Sequence, residues 1–308
     1  MPQRPPADIA ITEALVRSLL AAHARSGVRA LAERSIVRAA SGWDCEMWRI
    51  GDDLCARLPR RASAAALIGH EQSALPAIRA RIAPTGIRVP APVAAGGPTA
   101  AFPWPWSVVP WVPGTTGLAS DRSARTPWAA QLAAVLSALH VVADDPWPAN
   151  PYRGVPLAQR GDVTRARIRG LQDRGLLSPG DASRLVTVWS RGVDAPPWTL
   201  RPVWIHGDLH PGNLIVRDER LRAVIDFGDV TAGDPAYDLA AAWVVFDARG
   251  RAAFMDAYRA DGATWTRAKG WAAAVGALLL EHGDGDAAHA NLGREIVAEV
   301  GAYDETPV

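Results

Sequence analysis

The stretch "WIHGDLHPGNLIV", residues 204–216, sets His206, Asp208, His210 and Asn213 into a short segment broken by Gly207, Pro211 and Gly212, with apolar residues on both sides. Polar side chains in that number, lodged between apolar runs, need partners or a task, because burying them unpaired is costly. Asp208 and Asn213 stand five positions apart as D-x-x-x-x-N, and Asp226 follows eighteen positions after Asp208 in "VIDFGD" (224–229).

This order of residues matches the parts needed for phosphoryl transfer: a base-like Asp, then an Asn and a second Asp before Phe-Gly that bind a metal. A nucleoside triphosphate brings several negative charges, so oxygen ligands must hold Mg²⁺ on it, while one further carboxylate accepts or orients the attacking hydroxyl. Asn213 and Asp226 are the expected metal ligands and Asp208 the expected catalytic carboxylate. Each fragment alone also occurs in solvated turns; in order and at short separation they support one another. His206 and His210 are read as packing and hydrogen-bonding the loop rather than transferring protons.

Working outward, "SIVRAA" (35–40), "DCEMWRI" (44–50) and "LCARLPR" (54–60) are short strand-like runs separated by turn formers, which predicts a three-strand antiparallel meander behind a first helix capped by Thr12. "ASAAALIGHEQSALPAIRARI" (62–82) has helical spacing, with Pro76 expected to kink or divide it. Two further apolar runs, 87–95 and 106–112, contain Pro residues that limit ladder bonding. "PGTTG" (113–117) is turn chemistry, and from Pro127 the pattern is mainly helical, with helices expected at 128–140, 163–174 and 181–191. Residues 221–229 read as a strand ending in a polar turn, 234–246 as a helix capped by Asp234, and about 251–300 as more helix. The division is therefore an N-terminal nucleotide-binding lobe, 1–112, and a helical C-terminal lobe, 113–308, with the catalytic loop and acceptor pocket.

The 308 residues carry 33 Lys plus Arg against 32 Asp plus Glu, so the charge offers no reason to expect nucleic acid or an anionic membrane as partner. Cys45 and Cys55 belong to no metal-spacing motif or disulfide framework and read as buried free thiols of a reducing cytoplasm. "MPQRPPADIA" lacks the apolar stretch of a signal peptide, and "WAAAVGALLL" (271–280) is about half the length needed to cross a bilayer, so a soluble, cytoplasmic protein is expected. Most of the 13 Trp, Trp104 and Trp106 included, are read as core packing. Nothing in the sequence indicates an oligomeric state.

"HGDLHPGNLIV" and "VIDFGDVTAGDPAYDLA", with "ARLPRR", "HEQSALPAI" and "FPWPWSVVPWVPG" upstream, resemble the aminoglycoside phosphotransferase family, which shares a kinase-like fold with choline kinases, macrolide phosphotransferases and homoserine-kinase-like enzymes. The resemblance implies an α+β, bilobal protein-kinase-like fold, with an antiparallel sheet lobe and a helical lobe. It also implies Mg²⁺-dependent transfer from ATP or GTP to a small-molecule hydroxyl, with Asp208 catalytic, Asn213 and Asp226 on the metal, and Asp238 supporting the loop.

Protein kinases place a Lys on the third strand to meet the phosphates, paired with an acid on the next helix. Here the sole Lys is Lys269, so Arg57 is the natural substitute and Glu71, fourteen residues on, its partner. Arg60 and Arg61 compete and read as a solvated basic edge. "AASGWD" (39–44), with one Gly, is the expected loop over the phosphates, and the backbone of Trp111 and Val112 is expected to meet the nucleotide base.

An aminoglycoside acceptor, with its several ammonium groups, would need a carboxylate-rich wall. "EHGDGD" (281–286) and "ADD" (143–145) are candidates, although each also reads as a solvated loop. Three functions stay open: an antibiotic phosphotransferase on an aminoglycoside or macrolide; a kinase of an endogenous hydroxyl such as an amino alcohol or sugar; and a nucleotide-binding pseudokinase acting through partners, against which intact Asp208, Asn213 and Asp226 argue.

Overall fold

The computed structural model describes residues 6–144, 146–283 and 287–302. They form two compact units, one of residues 6–114 with Arg222–Asp229, the other of Thr115–Leu221 with residues 230–302. The segment that carries Asp226 thus joins the N-terminal unit. Backbone bonds hold it there: Arg88 N–H donates to Arg222 O at 2.9 Å, and Val224 N–H to Arg88 O at 3.1 Å.

The first unit begins with α1 (Glu13–Ala21), whose Leu15 N–H is capped by Thr12, and the single turn α2 (Ser26–Arg29). Strands β1 (Ile36–Ser41), β2 (Cys45–Ile50) and β3 (Leu54–Pro59) form the meander, followed by α3 (Ala65–Ile82), β4 (Ala94–Gly96) and β5 (Trp106–Pro110). The sheet order is β1-β2-β3-β5-β4, antiparallel throughout. Pairing sets Arg57 opposite Met47 on one side and Ser107 on the other. Alternation along β3 sends Ala56 and Leu58 into a core with Val16, Leu19 and Leu20 of α1, Trp48, Ile50 and Val108, so Arg57 points to the opposite face.

Helix α3 packs on β3 and β5. It continues across Pro76 as one element, so of the expected kink or division the division does not occur. Its buried stripe, Ile68, Glu71, Leu75, Ile78 and Ile82, follows the three–four spacing of a helix, with a carboxylate at one apolar position. Residues 87–92 stay out of the ladder apart from the Arg88 bridge to Ala223, because Pro90 and Pro92 cannot donate, and Val93 N–H begins the pairing with Val108 O at 2.8 Å.

In the second unit, β6 (Thr115–Thr116) pairs antiparallel with β8 (Leu214–Arg217), which turns through Asp218 and Glu219, both at positive φ, into β9 (Arg220–Val224). Strands β7 (Val203–Ile205) and β10 (Thr231–Gly233) make a second two-stranded sheet. Helices α4 (Ala129–Leu139), α5 (Gly161–Asp173), α6 (Pro179–Asp194), α7 (Ala236–Leu239), α8 (Ala241–Val244), α9 (Ala248–Tyr258), α10 (Gly262–His282) and α11 (Ala287–Gly301) supply the bulk. Helix α10 is the axis, packed by α5, α6, α7, α8 and α11.

The expected helix 234–246 is two single turns, with ψ tightened to −22° at Ala240 between them, and the helical stretch over 251–300 is three elements, of which α9 is capped by Asp247 and α10 by Asp261. Trp106, Trp128, Trp189, Trp243, Trp265 and Trp271 are core, whereas Trp43 is 47% exposed. Cys45 and Cys55 are buried free thiols, and burial pushes both up to about 12. Among the described residues no helix is long and apolar enough to cross a membrane.

Candidate active site

The loop between β7 and β8 is built by its local sequence. Gly207 takes φ +84°, a conformation that side chains disfavour, and so reverses the chain just before Asp208. Pro211 then opens a short 3₁₀ turn, Pro211–Asn213, in which Gly212 N–H donates to His210 Nδ1 at 3.1 Å. Asn213 is buried, and its Nδ2 donates to Asp208 O at 2.8 Å and to Oδ2 at 3.3 Å. That fixes the amide and leaves its Oδ1 as an acceptor. The Asp208 side chain is 41% exposed, and His210 Nε2 lies 3.7 Å from its Oδ2.

Beneath this loop lies a carboxylate. Asp238, in α7, accepts N–H bonds from His206 at 2.6 Å and Gly207 at 3.0 Å. His140 Nε2 lies 3.2 Å from the same carboxylate, and His140 Nδ1 2.7 Å from Tyr258 Oη. Burial works to raise the Asp238 carboxyl, but the His140 hydrogen bond and the His140 and His206 fields outweigh it and hold the group below its ordinary value. His206 is fully buried and its Nδ1 accepts the Asp208 N–H at 3.1 Å, a loop-bracing role.

The first unit holds a separate charged cluster. Arg57 Nε lies 2.8 Å from Glu71 Oε2, and Arg57 Nη2 donates to Asp226 Oδ1 at 2.5 Å. Glu71 also accepts the Phe227 N–H at 3.0 Å, which fastens the Asp-Phe-Gly turn to α3. Asp226 sits at φ +63°, a left-handed conformation that Asp tolerates better than most side chains, and its side chain is 45% exposed. Burial works against the Arg57 charge, but the fields of Asp226 and Glu71 hold the guanidinium above its ordinary value. Burial pushes the Glu71 carboxyl up to about 7 against the pull of Arg57. Asp44 is raised by burial first, then opposed by Arg61 and raised again by Asp226 and Asp229.

A match to the phosphotransferase enzyme family covers residues 35–271, more than half of the chain and all of these residues. The chain belongs to that family. No curated protein matches the sequence. Among solved structures the phosphotransferase is similar to the GDP and kanamycin complex of APH(2")-IIia, with a TM-score of 0.64 at 18% identity, over 93% of this chain and 97% of that one. It is similar also to the gentamicin complex of APH(2")-IIa (TM-score 0.56, 16% identity, 96% and 100% covered) and to macrolide 2'-phosphotransferase MphH from Brachybacterium faecium (0.57, 22%, 92% and 97%). At these identities the likeness establishes the kinase-like α+β fold, and membership of the family makes the protein a small-molecule kinase with a hydroxyl acceptor.

Other residues of the phosphotransferase stand differently from expectation. The Trp111 N–H donates to Asp53 O at 2.8 Å, because the β3–β5 ladder continues one step past the Leu54–Pro110 pair, so this amide is not open to a nucleotide base. Arg60 and Arg61 are no solvated edge: Arg60 is buried, within 3.4 Å of Gly42 O, Trp43 O and Glu46, and Arg61 pairs with Asp44 at 2.8 Å. They strap the loop between β1 and β2.

Of the acidic stretches, Glu281 is paired with Arg167 at 2.6 Å, Asp144 is exposed, and Asp145, Asp284 and Asp286 lie outside the described residues. Sequence reasoning missed His140, Tyr258 and Arg153, whose guanidinium lies 3.7 Å from Asp208. Their only sequence signal was polar character inside apolar or Pro-rich stretches.

Proposed function

We propose that the phosphotransferase moves the terminal phosphoryl group of ATP or GTP to a small-molecule hydroxyl with Mg²⁺, using Asp208 as the catalytic carboxylate. The observation that carries this reading is the Asp208 loop itself: a half-exposed carboxylate on a loop whose backbone is bound to a buried Asp238 and whose neighbour Asn213 is fixed by two hydrogen bonds. Such a carboxylate orients the hydroxyl for in-line attack and takes its proton as the new P–O bond forms and the nucleoside diphosphate departs. Arg57, held by Glu71, supplies the cation for the phosphates, and Val112 keeps a backbone donor without a protein partner among the described residues for the base.

For the metal, the residues present fit. Asp226 and Asn213 each offer a hard oxygen donor of the kind Mg²⁺ takes. Bound there, Mg²⁺ would neutralise phosphate charge. The nucleotide reading draws support from the GDP and ADP named with similar structures.

An aminoglycoside acceptor is supported by the kanamycin and gentamicin named with two of those structures, and a macrolide acceptor by the name of another. A kinase of an endogenous hydroxyl is the further reading, and the unbroken Asp208–Asn213 loop speaks against a pseudokinase.

The test is nucleoside diphosphate release by the purified protein from ATP and GTP, with and without Mg²⁺, over aminoglycosides, macrolides, amino alcohols and sugars. Acceptor-stimulated, Mg²⁺-dependent release is expected with one class. Nucleotide binding with no release in any cell of the panel would return the protein to the pseudokinase reading.

A further inference from the structure

We propose that Arg153 is a positioning residue for the transfer step, holding the Oδ1 edge of Asp208 in place. The inference rests on Asp208 being the catalytic carboxylate.

Asp208 has two carboxylate oxygens with different neighbours. Oδ2 faces Asn213 Nδ2 at 3.3 Å and His210 Nε2 at 3.7 Å, while Oδ1 faces Arg153 Nη2 at 3.7 Å. A carboxylate that must present one lone pair to a hydroxyl gains from being bracketed on both sides, since misplacement by an ångström can cost two orders of magnitude in rate. The Arg153 side chain is only 21% exposed, so its field is weakly screened.

The protein also carries a device that aims this side chain. Asn150 Oδ1 accepts the N–H groups of Tyr152 at 3.0 Å and Arg153 at 3.1 Å, closing a tight turn. Gly154 follows at φ +69°, where an added Cβ would meet Ala232 O of β10 at 2.9 Å, and a Cβ on Gly233 would run into the Gly154 backbone. Thr231 Oγ1 donates to Pro148 O at 2.7 Å. One hydrogen bond and one close backbone approach therefore set residues 148 and 154 against β10, and β10 itself pairs with β7, the strand that leads directly into the Asp208 loop. The Arg153 guanidinium then lies over the Tyr237 ring, 5.5 Å from its centroid, one residue before Asp238, which anchors the same loop. Turn, strand edge and aromatic ring together bring one guanidinium to one oxygen.

A role exerted through Asp208 predicts a particular pattern. Water can serve as the acceptor, so nucleoside diphosphate release from Mg²⁺–ATP and Mg²⁺–GTP is measured for wild type, Arg153→Gln, Arg153→Lys, Asp208→Asn and the Arg153→Gln/Asp208→Asn pair, with melting temperatures alongside. Expected are a kcat at least tenfold lower for Arg153→Gln with nucleotide KM within about twofold of wild type, partial recovery with Arg153→Lys, and no further loss from Arg153→Gln once Asp208 is Asn. A wild-type kcat for Arg153→Gln overturns the proposal, and so do losses that multiply in the double variant, which would mean that Arg153 acts on the substrate by itself. If Asp208→Asn keeps the wild-type rate, the reading of Asp208 has failed rather than that of Arg153 alone, and the two failures are told apart in one experiment.

Discussion

In the first unit Arg57, Glu71 and Asp226 hold one another by charge, side chain to side chain. In the second, Asp238 holds the loop of Asp208 by accepting two main-chain N–H groups. Removing Arg57, which joins the other two, takes the ion-pair partner from buried Glu71, and a buried charge without its partner is strongly destabilising. The second arrangement divides the work: Asp238 is buried and sets the backbone, whereas the Asp208 side chain is half-exposed and is the group proposed for the chemistry. One unit should therefore answer substitution with mixed effects on binding, rate and stability, and the other with effects that divide cleanly between residues.

The largest effect expected is on rate alone. Asp208→Asn retains shape and hydrogen bonding but cannot accept the hydroxyl proton, so turnover should fall by about two or more orders of magnitude, roughly 3 kcal/mol of barrier. Nucleotide affinity and melting temperature should stay near wild type. Loss of nucleotide binding in calorimetry would move Asp208 into the metal shell and collapse the contrast.

Next comes stability alone. Asp238→Asn replaces the acceptor beneath the loop and should cost about 2 kcal/mol at neutral pH. Because the folded carboxyl lies below its ordinary value, the unfolded chain takes up this proton first as pH falls; the Asp238 contribution is present above about pH 4 and is lost below it. The difference in unfolding free energy between wild type and Asp238→Asn should accordingly shrink as pH falls through that range. A pH-independent difference would show that Asp238 acts by packing rather than by its charge.

The third effect is smaller on each axis and falls on all of them. Arg57→Ala should raise nucleotide KM and lower kcat, each by roughly tenfold, while lowering the melting temperature because Glu71 loses its partner; Arg57→Lys should retain part of both. Steady-state kinetics with a thermal melt would decide, and an Arg57→Ala protein with wild-type KM would remove Arg57 from the phosphate site.

Much of this was open to reading from the chain alone, and for a physical reason. The spacing of Asp208, Asn213 and Asp226 survives as linear pattern because a loop between strands fixes its groups through local geometry: a Gly at positive φ, a Pro-opened turn, a strand on each side. Glu71 was visible as the acid on the helix that follows the third strand, fourteen residues after Arg57. The meander between residues 36 and 59 was legible from alternating runs and turn residues, which are also local.

Where the reading failed, the deciding contact was distant. Pro76 does not divide α3 because packing against β3 and β5 carries the helix through, and propensity is a weak term beside burial. Trp111 lost its free amide to a ladder partner 58 positions earlier, Asp53, and Arg60 turned inward to carbonyls of residues 42 and 43.

By itself, then, the sequence determined the α+β fold and the order of strands and helices that carries Asp208, Asn213 and Asp226, since those features depend on neighbours a few residues away. Only the tertiary structure decided that residues 222–229 belong with the N-terminal unit, that His140 and Tyr258, 118 positions apart, complete the support of Asp238, and that Arg153 meets Asp208. Pairings of that separation leave no periodicity in the chain: they arise when the packing of whole elements brings two polar groups into one desolvated place, where each must find the other.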